Sequence, residues 1–165
     1  MEKKKLKTTE VQLRLLKIQE TGFFMDSAVI STVPDFDVTK ITIEFALKIE
    51  MNIESDLFGL HVVVRYKYPV GEDVKKIIEL SSFNNFGVKN LKDIIELKEN
   101  NEFNDKVGIL PTLLSISVSS LRGILVAKTA GTILADCPLP IFNPADLCKQ
   151  LIRNSKIVEL NPNDI

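Results

Sequence analysis

Residues 41–54 read ITIEFALKIEMNIE, and apolar and polar side chains alternate along nearly the whole segment. Because successive side chains of an extended strand point to opposite faces of its sheet, this period of two predicts one buried and one solvated face. An antiparallel sheet with one face in water has that pattern. The segment therefore predicts a long strand of an antiparallel sheet.

Three more segments extend this sheet to four strands. Residues 60–68 repeat the alternation, between turn-forming residues at Ser55–Asp56 and at Val70–Asp73. Residues 11–24 and 74–86 supply the first and last strands, although each carries apolar side chains on both faces. A strand that is apolar on both faces is either covered on both faces within its own chain or packs against a partner molecule.

The hydrophobic period changes from two to 3.6 after residue 90. Residues 91–95 predict a short helix behind a capping Asn90. The main helix is predicted over Val107–Ala130, with Pro111 in its first turn and Gly131 just beyond its last residue.

A shorter helix over Asn143–Arg153 completes the predicted fold. The class is α+β, with a four-stranded antiparallel sheet and both helices packed on one face. At 165 residues and 45% hydrophobic content the chain is expected to form one domain. This domain spans residues 10–153, between a basic tail at 1–9 and a short C-terminal tail at 154–165.

The main helix is apolar over much of its circumference. Leu113, Val118 and Leu121 form a stripe at helical spacing, and Ile116 and Ile124 broaden it. One face of a sheet cannot cover so wide a surface, so a second subunit is expected to pack here. These five residues are the predicted oligomer interface.

Charge and hydropathy argue against several classes of protein. The net charge is −1, so no basic surface predicts nucleic-acid binding. Residues 109–134 are apolar enough to suggest a membrane span, but Arg122 and Lys128 argue against insertion, since a central Arg costs about 3 kcal/mol in a bilayer. No hydrophobic signal segment follows the basic start, which predicts a cytoplasmic protein.

The sequence carries no catalytic or metal-binding motif. His61 is the only histidine and lies within a strand pattern, which favours a structural role. Cys137 and Cys148 lack CxxC spacing and cannot complete a zinc site. The sequence therefore predicts a protein that is not an enzyme and has no cofactor and no metal site.

Aromatic side chains gather near strand ends and loops. Core packing is the ordinary explanation for each, but such clusters also line adaptable grooves for other polypeptide chains. Phe23, Phe36, Phe83 and Phe86 are among the residues at such positions.

In their order along the chain, these features resemble the SecB export chaperones of bacteria. The first strand VQLRLLKI (11–18), the fourth strand ELSSFNNFG (79–87), the helix start ILP (109–111) and the loop LPIFN (139–143) carry the resemblance, which spans residues 10–152. The resemblance implies a homotetramer, built as a dimer of dimers, that has no cofactor and holds unfolded polypeptides in apolar grooves without ATP. It also implies that Phe36, which precedes the second strand, lines the client-binding groove, with Phe23, Phe83 and Phe86 as further candidates.

The resemblance also implies a docking site for the translocase motor SecA. Glu20 and Glu79 stand where docking acids are expected, but Phe24 replaces another and the net charge is near zero, so docking is expected to be weak. Some SecB-like proteins instead protect an antitoxin, and that role stays open. The alternative from another class is a small-molecule binder, in which the sheet wraps the long helix around a lipid-like ligand.

Overall fold

The structure, a computed structural model, describes residues 11–99 and 102–152, and the backbone of residues 156–159. The predicted tail at residues 1–9 lies outside the described residues. In chain order the elements are β1 (Leu13–Met25), α1 (Ser27–Thr32), β2 (Thr42–Asn52), β3 (Leu57–Val70), β4 (Asp73–Val88), α2 (Leu91–Ile94), β5 (Ile95–Leu97), β6 (Phe103–Asp105), α3 (Leu110–Thr129), α4 (Pro144–Ile152) and β7 (Lys156–Glu159).

One five-stranded sheet, in the order β1-β4-β3-β2-β7, forms the main layer. Its first four members pair antiparallel, which confirms the predicted four-stranded sheet. The expected C-terminal tail is wrong at residues 156–159, because β7 pairs in parallel with β2 at residues 48–51. A parallel strand reaches its partner only through a long crossover, here by way of the helices, so four residues give no local signal of the pairing.

Asp56 ties the β2–β3 turn to the start of α2. Its carboxylate accepts hydrogen bonds from the backbone N–H groups of Asn90 (3.2 Å) and Leu91 (2.8 Å). Asn90 has a left-handed backbone and makes no side-chain cap, so the predicted capping by Asn90 is wrong. The predicted helix is also too long, since Ile95 already belongs to the two-stranded sheet of β5 and β6.

Asp105 fixes the start of α3. Its carboxylate accepts hydrogen bonds from three successive backbone N–H groups, those of residues 108–110, at 2.8–3.0 Å. Such bonds satisfy the free donors at a helix start, so α3 begins at Leu110, three residues later than predicted. Pro111 lies in the first turn and Gly131 follows the last one with a φ of +77°, both as predicted.

α3 packs on β3 and β4, on the face of the sheet called here the inner face. Leu113, Val118 and Leu121 of α3 are buried there and join the chain's own core. The prediction that these three residues contact a second subunit is therefore wrong, because helical periodicity identifies an apolar stripe but not the surface that covers it. Ile116 and Ile124 remain half-buried at the edge of the core. The fully buried hydrophobic residues on the inner face of the sheet are Ile49, Phe58, Leu60, Val62, Val64, Tyr66, Ile78, Leu80, Phe86 and Val88.

By length and hydropathy alone α3 would also suit a membrane span. Core helices share those properties, and one side of α3 is covered by the sheet.

Candidate functional site

β1 is an edge strand. It pairs with β4 along almost its whole length, from Leu13 opposite Val88 to Met25 opposite Ile78. Among the described residues, no strand pairs with the other edge of β1. A long free edge presents a row of backbone N–H and C=O groups on which another extended chain can pair.

Exposed apolar side chains concentrate on this strand. Of the large hydrophobic residues that are well exposed, four lie on β1, and each keeps about two fifths of its surface in water. An apolar cluster of this kind on a surface indicates an interaction site. The four residues are called here the β1 patch: Leu15 (43% exposed), Leu16 (39%), Ile18 (44%) and Phe24 (44%).

The β1 patch lies on both faces of the sheet. Leu15 and Ile18 are paired with inner-face positions of β4, whereas Phe24 is paired with Glu79 on the opposite, outer face. Leu16 also lies on the outer face, beside Gly87. Register shifts after Leu15 and after Glu20 interrupt the strict alternation of side chains between the two faces. Because of the first of these bulges, Leu15 and Ile18 lie on the same face although they are three residues apart.

On the inner face, the β1 patch faces one flank of α3. Lys128 of α3 pairs with Glu20 of β1 at 2.9 Å, and its ammonium lies 5.2 Å from the ring centre of Phe23. Because residues four apart lie on the same side of a helix, Ile124 shares the flank that carries Lys128. The half-buried Ile124 therefore lies on the same side as the inner half of the β1 patch, whereas Ile116 lies beside residues 143–145.

An aromatic pair, His61 and Phe83, lies on the outer face. The His61 ring lies against Phe83, with centroids 4.4 Å apart, and its Nε2 is 3.1 Å from Glu50 Oε1. The Phe83 ring occupies space over Gly59, since a Cβ at Gly59 would lie only 2.6 Å from Phe83 Cε2. Burial lowers the pKa of His61, and the nearby Glu50 carboxylate only partly offsets this.

The two predicted SecA-docking acids do not form a common patch. Glu20 lies on the inner face and pairs with Lys128, while Glu79 lies on the outer face and pairs with Arg65 and with Lys76. The hydrogen bond from Arg65 is the main cause that lowers the pKa of Glu79. Each carboxylate is thus neutralised locally, on opposite sides of the sheet.

The four predicted groove residues are likewise not brought together. Phe23 lies under Lys128 on the inner face, and Phe36 stacks on Tyr68 with centroids 4.3 Å apart. Phe83 belongs to the outer-face aromatic pair. Phe86 is fully buried in the core, so it offers no surface to a client and its predicted role is wrong.

Sequence reasoning did not assign the four residues of the β1 patch, or Asn85, to the site. The signal for the β1 patch was available in the apolar residues on both faces of the first strand. Asn85 is fully buried in β4 without a hydrogen-bond partner for its side chain. Nothing in the pattern of β4 distinguishes Asn85 from the neighbouring Asn84.

No protein-family model and no curated protein sequence matches this chain. Several solved structures are similar to it, and in two of them the match covers 81% of the chain. One is a protein of unknown function from Streptococcus agalactiae, at 8% identity and a TM-score of 0.39 over 98% of that protein. The other is the SecB-like chaperone Rv1957 of Mycobacterium tuberculosis in complex with a ChAD peptide from the HigA1 antitoxin, at 10% identity and a TM-score of 0.37 over 86% of that protein. At these values they indicate a distant similarity of fold, and they carry no conclusion about function.

Proposed function

We propose that this chain is a cytoplasmic, ATP-independent holding chaperone of SecB-like fold, which binds unfolded polypeptides through the β1 patch. One observation carries the proposal: four exposed large apolar side chains lie on a single edge strand, and no strand in the described part of the chain pairs with its second edge. Extended polypeptides bind exposed apolar side chains of this kind through contacts that tolerate many sequences. The proposal rests on this surface and not on the similarity to solved structures.

The backbone edge of β1 and its side chains can serve different partners. The edge lies in the plane of the sheet, where we expect residues 11–18 to pair with the same strand of a second copy. The side chains project from the two faces of that sheet and remain available to clients. The homotetramer implied by the resemblance to SecB would then use the edge together with Ile116 and Ile124.

The space between α3 and the sheet argues against the lipid-binding alternative. Leu113, Leu114 and Leu121 are fully buried there and pack on the inner face. A ligand enclosed between the sheet and the helix would need the volume that these leucines fill. The available apolar surface therefore lies outside the core, where a polypeptide can reach it.

Two biological settings fit a holding chaperone, and the charges on the sheet favour one of them. Export requires docking on SecA, and both candidate docking acids already have basic partners within the chain. We therefore expect a general or dedicated holding role, such as protection of an antitoxin, more than efficient export.

The proposed function is tested by suppression of aggregation. A denatured substrate is diluted into buffer without nucleotide, and light scattering is followed with the wild type and with Leu16→Lys combined with Phe24→Lys. Val74→Lys combined with Leu97→Lys is the matched control, because both residues are at least as exposed but lie off β1. We expect the wild type and the control to suppress scattering and the β1 variant to lose most of that effect. Equal suppression by all three proteins would remove β1 from the site.

A further inference from the structure

The side chain of Asn85 is a buried amide without a partner on the outer face of the sheet. Asn85 lies on β4 between Gly59 of β3 and Lys17 of β1. Its side chain is 0% exposed, and neither Nδ2 nor Oδ1 has a hydrogen-bond partner among the described residues. Buried polar groups are nearly always hydrogen-bonded in native proteins. An orphaned donor and acceptor on one side chain therefore indicate a missing partner.

The Phe83 ring closes the space beside this amide. Phe83 lies two residues before Asn85 and so on the same face of β4. Gly59, directly opposite Asn85, has no side chain, and the Phe83 ring fills the place that one would take. The ring is held by its neighbours Leu57 and His61, and not by any covalent or hydrogen bond. A change of Phe83 rotamer would open a slot with Asn85 at its floor.

We propose that this slot binds the backbone of one residue of an extended polypeptide after the Phe83 ring swings aside. In an extended chain the N–H and C=O of one residue point to the same side, and in a sheet they bond together to a neighbouring strand. The amide of Asn85 offers the complementary acceptor and donor. A folded helix has no such pair free, so the slot selects unfolded segments.

The slot lies next to the β1 patch. Leu16 of the patch lies within 3.7 Å of where a Cβ of Gly87 would be, and Gly87 is two residues beyond Asn85 on the same face. An extended segment bound on Leu16 therefore reaches the slot within a few residues. This inference rests on the proposed function, and it adds a backbone-reading site to the side-chain contacts of the β1 patch.

The test compares two neighbouring asparagines. Asn84 is also fully buried with an unpartnered Oδ1, but it lies on the inner face, where its Nδ2 donates to Ser82 Oγ. Asn85→Leu removes a side chain with no partner at all, so we expect it to raise the urea midpoint of unfolding. Asn84→Leu also leaves the buried Ser82 Oγ without its donor, so we expect it not to raise the midpoint. Only Asn85→Leu should weaken binding of a reduced and carboxymethylated, permanently unfolded polypeptide, by about tenfold, the loss of a hydrogen-bonded pair.

The outcomes separate this inference from the function on which it rests. Unchanged binding by Asn85→Leu would mean that the amide holds trapped water only, and equal weakening by both variants would mean a general effect on the fold. Either result overturns the slot while leaving the chaperone function intact. A wild type that does not bind the unfolded polypeptide at all would overturn both. If Asn85→Leu fails to fold, Asn85→Ala removes the same two groups and takes its place in the comparison.

Discussion

The His61 imidazole is half-buried between the Glu50 carboxylate and the ring of Phe83. Burial lowers its pKa below the ordinary value of about 6.5. As the pH falls, the unfolded chain therefore binds the proton first, and the stability present above about pH 6.5 is lost progressively below it. His61 thus makes the fold more stable at neutral than at mildly acidic pH.

We expect the urea midpoint of the wild type to fall between pH 7.5 and pH 5.5, a range above the titration of most carboxylates. His61→Gln, which keeps a polar side chain but cannot take up a proton, should show a smaller fall. Chemical denaturation at several pH values measures both. The same dependence on pH in the two proteins would show that His61 does not contribute.

A second prediction concerns the contribution of the Asp105 carboxylate to the stability of the fold. It accepts three backbone hydrogen bonds at the start of α3, so Asp105→Ala should lower the free energy of unfolding by about 1–2 kcal/mol. Asp105→Asn keeps one of the two oxygen acceptors and should lose less. Urea denaturation of the three proteins tests this, and an unchanged midpoint for Asp105→Ala would contradict the capping role.

At the scale of elements, α3 separates residues of the core from residues at the surface. Leu121 is fully buried in the chain's own core, whereas Ile124, less than one turn further on, is half-buried on the flank near β1. A charge introduced at these two positions should therefore have different effects.

We expect Leu121→Asp to lower the free energy of unfolding by more than about 4 kcal/mol, because it buries a carboxylate in the core. Ile124→Asp should leave the chain folded and convert the oligomer into smaller species. Circular dichroism with multi-angle light scattering distinguishes the two effects. A wild type that is monomeric at micromolar concentration would contradict the interface altogether.

The elements differ in how far the sequence could predict them. The alternation over residues 41–54 and the apolar stripe of α3 extend over ten or more residues, so both elements are found with small errors at their ends. β5, β6 and β7 have three or four residues each and form by pairing with segments distant in the chain. The cap of α3 depends on Asp105, which sequence periodicity alone cannot assign to the helix start.

The candidate site was predicted less well than the fold. Apolar residues on both faces of the first strand indicated that the strand either is covered on both faces or packs against a partner molecule. The exposed residues of the β1 patch show that the chain itself does not cover the strand on both faces. The aromatic residues were chosen by type, and type does not distinguish the buried Phe86 from the exposed Phe24. Pairing register, which assigns each residue to a face, requires the three-dimensional structure.

At the scale of the whole molecule, the distribution of charge bears on the export role. The net charge is −1, and among the described residues the two candidate docking acids, Glu20 and Glu79, are paired with basic side chains on opposite faces, so they form no common acidic patch that would attract a motor protein over distance. We expect SecA from the same organism to bind weakly or not at all in a calorimetric titration. Sub-micromolar binding that is sensitive to salt, and that Glu79→Lys abolishes, would contradict this.

In the proposed function, the folded chain recognises unfolded polypeptides through β1 without nucleotide. The most direct test labels one polypeptide with a fluorophore and titrates the chaperone against its native form and against its reduced, carboxymethylated form. We predict a rise in anisotropy with the unfolded form only, in the absence of ATP, and a much smaller rise with the Leu16→Lys and Phe24→Lys variant. Equal binding of the native and unfolded forms, or binding of neither, would contradict the account.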